Sequence, residues 1–224
     1  MDLNKTIRDL IDASISNPYA YNANDIKSSL MNYNECSEFL IHNDDLKIGL
    51  DRLYEYLGIN EFSNDKSCLI TNSVNGRIAN ALMDNIHIYC FDNDYYCSMA
   101  SQLVNSEKNQ KDKMEFLFGD ISQFFSGEFN HNFLVDCVIT APSKFNETYK
   151  RLDSEMKYRQ MNPYEYYTKR SIEFLTHGGI CMSIVPVSVV EFVKKQILDY
   201  DKPISFLNAI NFSSGYSFIY IKKL

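Results

Sequence analysis

The sequence predicts an open α/β sheet, mostly parallel, that ends in an antiparallel hairpin and is preceded by helices. Three observations predict it. From Ser67 onward short apolar runs recur at helix-length intervals, and runs that are continuous rather than alternating suit parallel strands covered on both faces. The last two runs are joined only by Ser213, Ser214 and Gly215, too short a link for a parallel crossover, so they must fold back on each other. Before Ser67 the apolar residues keep helical spacing instead.

Taken in order, Ile7, Leu10, Ile11 and Ile15 share one face of a first helix. The polar stretch Asn17 to Leu40 reads as a loop and then a helix beginning near Asn24 or Asp25. Leu46, Leu50, Leu53, Tyr54 and Leu57 form a clearer stripe that stops at Gly58, a glycine placed to cap a helix C-terminus. Residues 1–64 are accordingly expected as an N-terminal helical cap and residues 65–224 as the α/β domain. Its strands are expected at Cys68–Thr71, Ile86–Phe91, Met114–Phe118, Phe133–Thr140, Gly179–Val187, Leu207–Phe212 and Tyr216–Lys223, with helices beginning near Arg77 and Tyr95.

Bulk properties narrow the classes. A chain of 224 residues, 45% hydrophobic and 23% charged, is long enough for a sizeable core and has an ordinary globular composition. No segment approaches the roughly 20 apolar residues that a membrane span needs, and Met1 to Ile11 is too polar for a secretory signal. A cytoplasmic protein is expected. The six cysteines occur singly, several inside apolar runs, which fits reduced, buried thiols. His42, His87, His131 and His177 are scattered among them without metal-ligand spacing, so no metal is expected.

A net charge of −7 argues against a general nucleic-acid binder. The charge is uneven, however. Lys144 to Arg170 holds seven basic residues (Lys144, Lys150, Arg151, Lys157, Arg159, Lys169, Arg170) against four acidic ones, interleaved with five tyrosines. It reads either as a solvated connection with helical turns or as a surface for nucleic acid or a partner.

In open α/β sheets ligands bind outside the carboxyl ends of the strands. The first strand is followed by Asn72, Ser73, Val74, Asn75 and Gly76. Residues this small let backbone N–H groups approach a ligand, although taken alone the loop is better accounted for by an ordinary strand-to-helix turn, and the three-glycine dinucleotide fingerprint is absent. Asp92 ends the second strand at an offset where a carboxylate accepts hydrogen bonds from ribose hydroxyls; the alternative is a helix cap, a role that Asp94 fits better. Asp120, after the third strand, is placed beside an adenine ring or caps the helix that follows. The fourth strand runs into Ala141, Pro142, Ser143, Lys144 and Phe145.

From Cys68 to about Lys222 this order resembles the class I S-adenosylmethionine-dependent methyltransferases, particularly the N6-adenine branch. The segment "YEYYTKRSIEFLTHGGICMSIVPVSVV" is similar to that family's helix, glycine-containing turn and fifth strand, and the terminal hairpin to its reversed last strand pair. The resemblance implies a Rossmann-like fold and S-adenosylmethionine as cofactor. It implies contacts from Asn72, Ser73, Asn75 and Gly76 to the methionine part, from Asp92 to the ribose and from Asp120 to the adenine. It also implies catalysis at the end of the fourth strand. There the family keeps Asn, Asp or Ser, then Pro-Pro, then an aromatic residue, because the poorly nucleophilic exocyclic amine needs acceptors for its N–H bonds and a ring stacked on the extruded base. This chain departs from the pattern: Ala141 has no acceptor, and Lys144 stands where the ring belongs, with Ser143 and Phe145 as the nearest substitutes.

The loop is also poor in glycine, so two parts of the machinery are altered and a possible loss of the cofactor follows. The expectation is a methyltransferase-like pseudoenzyme that binds DNA, RNA or a protein partner, for instance as one subunit of a heteromeric methyltransferase. An active enzyme with a changed catalytic loop and a structural protein that keeps only the fold stay open beside it.

Overall fold

The computed structural model describes residues 8–9, 11–13, 16, 41–60, 66–71, 76–92, 95–106, 113–118, 133–141 and 162–224. The expected helix start near Asn24 or Asp25 lies outside these residues. In chain order the elements are α1 (Asn43–Leu57), β1 (Lys66–Thr71), α2 (Arg77–Ala81), β2 (Ile86–Asp92), α3 (Tyr95–Val104), β3 (Met114–Phe118), β4 (Val135–Thr140), α4 (Pro163–Glu173), β5 (Leu175–Pro186), α5 (Val190–Leu198), β6 (Ile204–Asn211) and β7 (Tyr216–Lys223).

The strands form one seven-stranded sheet in the order β3-β2-β1-β4-β5-β7-β6. β1 to β5 pair parallel, whereas β7 runs antiparallel to both β5 and β6. The expected fold class, mostly parallel with a reversed terminal hairpin, is the one observed. Continuous apolar runs form the central strands because both faces are covered. One face carries Cys68, Ile70, Cys137, Ile139 and Met182 against α1 and α2; the other carries Leu69, Val138, Cys181 and Val185 against α4 and α5. Among the described residues no helix is long and apolar enough to cross a membrane.

α1 ends where its stripe predicts, at Gly58 with φ of 65°. It is part of the sheet's own core. Leu46, Leu50, Leu53 and Tyr54 are buried together with residues of β1, β4, β5 and β7, and a Cβ on Gly49 would overlap the ring of Phe218 on β7. Without that Cβ the helix lies close enough for Tyr220 Oη to donate to the Gly49 carbonyl at 2.9 Å. At the helix N-terminus the Asp45 carboxylate accepts from Tyr216 Oη at 2.6 Å and from Ser214 Oγ at 3.3 Å. Burial, together with this carboxylate, pushes the Tyr216 phenol up to about 12.

Four strands start elsewhere than expected: β1 at Lys66 rather than Cys68, β4 at Val135 rather than Phe133, and two more by larger shifts. β5 begins at Leu175 rather than Gly179, so the glycines lie inside the strand. Val135 pairs with Leu175 but Cys137 pairs with Ile180, and the surplus residues of β5 bulge through Gly178 at φ 82°. A Cβ on Gly179 would meet the Asp136 carbonyl at 2.9 Å. β6 begins at Ile204 rather than Leu207, since Ile204 and Ser205 find partners in Lys223 and Lys222.

Candidate site at the carboxyl ends of the strands

The strand order reverses between β1 and β4, and in a doubly wound sheet the crevice at that point is where ligands bind. Polar groups tie these two strands at both ends. At the amino ends Asp136 accepts from Lys66 Nζ at 2.8 Å, from the Ser67 N–H at 2.9 Å and from Ser67 Oγ at 3.1 Å. Burial raises the Asp136 pKa, but the Lys66 ammonium and the Ser67 donors outweigh it and hold the carboxyl below its ordinary range. At the carboxyl ends the fully buried Thr71 donates from Oγ1 to Thr140 Oγ1 at 2.8 Å.

The hydroxyls continue on the next strand. Thr168 Oγ1 donates to the Tyr164 carbonyl at 2.6 Å, and its single proton is then used, so in the 2.8 Å contact with Ser183 it is Ser183 that donates.

Gly76 caps the five-residue α2 with φ of 72°. It is needed there for a second reason: a Cβ would lie 2.5 Å from Asn105 Nδ2, 2.9 Å from Ser101 Cα and 3.1 Å from the Ser101 carbonyl. Gly76 thus serves close packing of α2 on α3. The Gly76 carbonyl accepts from Asn105 Nδ2 at 3.1 Å and from the Asn80 N–H at 2.9 Å.

Asp92 ends β2 as expected, but it is 2% exposed and accepts from Ser101 Oγ at 3.2 Å. Its carboxylate therefore faces inward to α3. Ala141 follows β4 at 7% exposure and packs in the core, so that position offers a methyl group and no side-chain acceptor.

Of the other expected site residues, Asn72, Ser73, Asn75, Asp120, Pro142, Ser143, Lys144, Phe145, Lys150, Arg151, Lys157 and Arg159 lie outside the described residues. Lys169 and Arg170 are on α4 and are paired along it. Lys169 Nζ meets Glu165 at 2.7 Å, with side chains only 15% and 8% exposed, and lies 5.5 Å from the Tyr200 ring centre. Arg170 meets Glu173 at 3.2 Å.

Sequence reasoning missed Ser101 and Asn105. Both are fully buried. The available signal was the run of small residues Ser98, Ala100 and Ser101 in an otherwise apolar helix, which permits close approach of another element.

Five cysteines, Cys68, Cys90, Cys97, Cys137 and Cys181, are free and buried. Cys68 and Cys137 face each other across β1 and β4, and burial followed by the neighbouring Cys137 pushes the Cys68 thiol well above its ordinary value. A thiol so held is a core hydrophobe rather than a nucleophile. Among the described residues no three His, Cys, Asp or Glu side chains converge on a metal-sized space. A groove of about 440 Å³ runs between α1 and α2, floored by Leu46, Leu50 and Tyr54. None of Thr71, Gly76, Asp92, Thr140 or Ala141 lines it, so the topology and not this groove locates the site.

This sheet, with its reversed seventh strand and its crevice between β1 and β4, is the class I S-adenosylmethionine-dependent methyltransferase fold. An O-methyltransferase from Bacillus cereus, solved in complex with SAH, is similar at TM-score 0.61 and 10% identity over 96% of this chain and 97% of that one. The METTL16 methyltransferase domain is similar at TM-score 0.60 and 6% identity, covering 90% and 97%. A structure from Methanococcus maripaludis described as a putative S-adenosyl-L-methionine-dependent methyltransferase is similar at TM-score 0.57 and 14% identity, covering 88% and 93%. No family model and no curated protein matches the sequence.

Proposed function

We propose that this chain is an N6-adenine methyltransferase-like protein that keeps the scaffold but works by binding a partner, protein or nucleic acid, rather than by transferring a methyl group. One observation carries the reading. Asp92, the acceptor on which a bound nucleoside's ribose would rely, is enclosed and hydrogen-bonded to Ser101. As they stand, the described residues do not fit S-adenosylmethionine, because no open carboxylate meets its ribose. The methyl group of Ala141 supports the same reading, since a missing acceptor leaves the exocyclic amine unactivated. Loss of one well-aimed transition-state contact costs about 10²–10³ in rate.

Calorimetric titration with S-adenosylmethionine tests the proposal. No saturable binding at millimolar cofactor is expected, and micromolar binding would overturn it. A second reading, an active methyltransferase with an altered catalytic loop, is favoured by the retention of a positive-φ glycine after β1 and an aspartate at the end of β2. It requires methyl transfer to adenine-containing DNA or RNA, and loss of cofactor binding in Asp92→Ala.

A further inference from the structure

α3 brings a side chain against the one carboxylate that a ribonucleoside would use, and the neighbours of that side chain hold it in place. Ser101 Oγ donates to Asp92 Oδ2 at 3.2 Å. Behind it, the Ser101 carbonyl accepts from Asn105 Nδ2 at 2.8 Å, and the same amide donates to the Gly76 carbonyl at 3.1 Å. Ser101 Cα lies so near Gly76 that a Cβ there would stand 2.9 Å away. The backbone that carries the hydroxyl therefore cannot retreat unless α3 lifts off α2.

We infer that Ser101 is a latch on Asp92: it helps to keep the strand-end carboxylate turned in toward α3, and a ribonucleoside that takes that carboxylate must displace the Ser101 hydroxyl. The ligand class follows from the acceptor. A carboxylate at the end of the second strand of a doubly wound sheet takes the hydroxyls of a ribose, so the latched ligand is a ribonucleoside with its vicinal diol intact. The opposite role, a brace that steadies one carboxylate oxygen while the other meets the ligand, requires an exposed oxygen. At 2% exposure Asp92 presents none. The inference rests on the closed-site reading above and makes Ser101 a positioning residue that acts through Asp92.

The test uses the full chain and two probes, adenosine and 2′-deoxyadenosine, in equilibrium dialysis against wild type, Ser101→Ala and Ser101→Ala/Asp92→Asn, with circular dichroism to confirm folding. A charge-assisted hydrogen bond no longer has to be broken in Ser101→Ala, so adenosine binding should tighten by about 10-fold or more. It should favour adenosine over 2′-deoxyadenosine by a similar factor, and adding Asp92→Asn should erase that preference. A merely structural serine would not create a diol preference. Unchanged or weaker adenosine binding in folded Ser101→Ala overturns the latch. Should the alanine variant misfold, Ser101→Cys keeps the volume with a much weaker donor and must show the same preference. Micromolar adenosine binding by the wild type instead overturns the closed-site reading, and the latch then stands only if Ser101→Ala still binds more tightly.

Discussion

Gly76 and Gly58 form a controlled pair for testing how tightly α2 and α3 are pressed together. Both have positive φ, 72° and 65°, so an alanine at either position meets the same left-handed strain of about 1–2 kcal/mol. Their surroundings differ. Among the described residues nothing lies within 4 Å of a Cβ at Gly58, whereas a Cβ at Gly76 falls 2.5 Å from Asn105 Nδ2 and 2.9 Å from Ser101 Cα. The first neighbour is a side-chain amide that can move, but the second is backbone and cannot yield without shifting α3. Overpacking of this kind adds about 1–3 kcal/mol. Gly58→Ala should therefore cost about 1–2 kcal/mol and Gly76→Ala about 2–5 kcal/mol. For a chain of this length that is a Tm drop of roughly 2–8 °C against roughly 4–20 °C. Urea denaturation followed by circular dichroism measures both. Adding Asn105→Ala to Gly76→Ala should recover only part of the loss, because the Ser101 backbone contact remains. Equal costs for the two glycine variants would refute the argument that Gly76 is required by the approach of α3.

Two further outcomes are expected. The Asp136 carboxyl is held below its ordinary range, so its contribution is present above the ordinary carboxylate value of 3.8 and is lost as pH falls through the lower folded value; Asp136→Asn should be less stable than wild type at pH 7 by roughly 1–2 kcal/mol and lose less on acidification, which urea titrations from neutral to acid pH would show. Thr140→Val strands the buried Thr71 donor and should cost about 1–3 kcal/mol, while Thr71→Val/Thr140→Val, which removes both hydroxyls, should recover most of it; a double variant less stable than the single one would argue against the pairing.

The order and type of all seven strands were legible because continuous apolar runs and a three-residue final link leave few arrangements of a sheet. Strand ends were less legible, since pairing rather than hydropathy sets them. Lys66 and Ser67 are polar, yet they extend β1 because Asp136 supplies partners for them. Leu175 opens β5 because β4 reaches it across the Gly178 bulge. At the site, Gly76 and Asp92 could be located from their places after strands, but the inward turn of Asp92 could not. It depends on Ser101, and the small residues around that serine signal close packing without saying which element approaches. Only the approach of α2 and β2 makes that position interior.

The clasp between α1 and the terminal hairpin bears on how the chain is made. The hydrogen bonds from Tyr216 to Asp45 and from Tyr220 to Gly49 each span 171 residues. During synthesis α1 leaves the ribosome long before its docking surface exists. Until Tyr216, Phe218 and Tyr220 emerge, its apolar stripe has no β7 to cover, and the lasting seat of this core helix waits for the last strand. Such long-range closure slows folding and leaves a greasy helix exposed in the nascent chain. Truncation of even the final eight-residue strand would therefore remove support from the opposite end of the polypeptide.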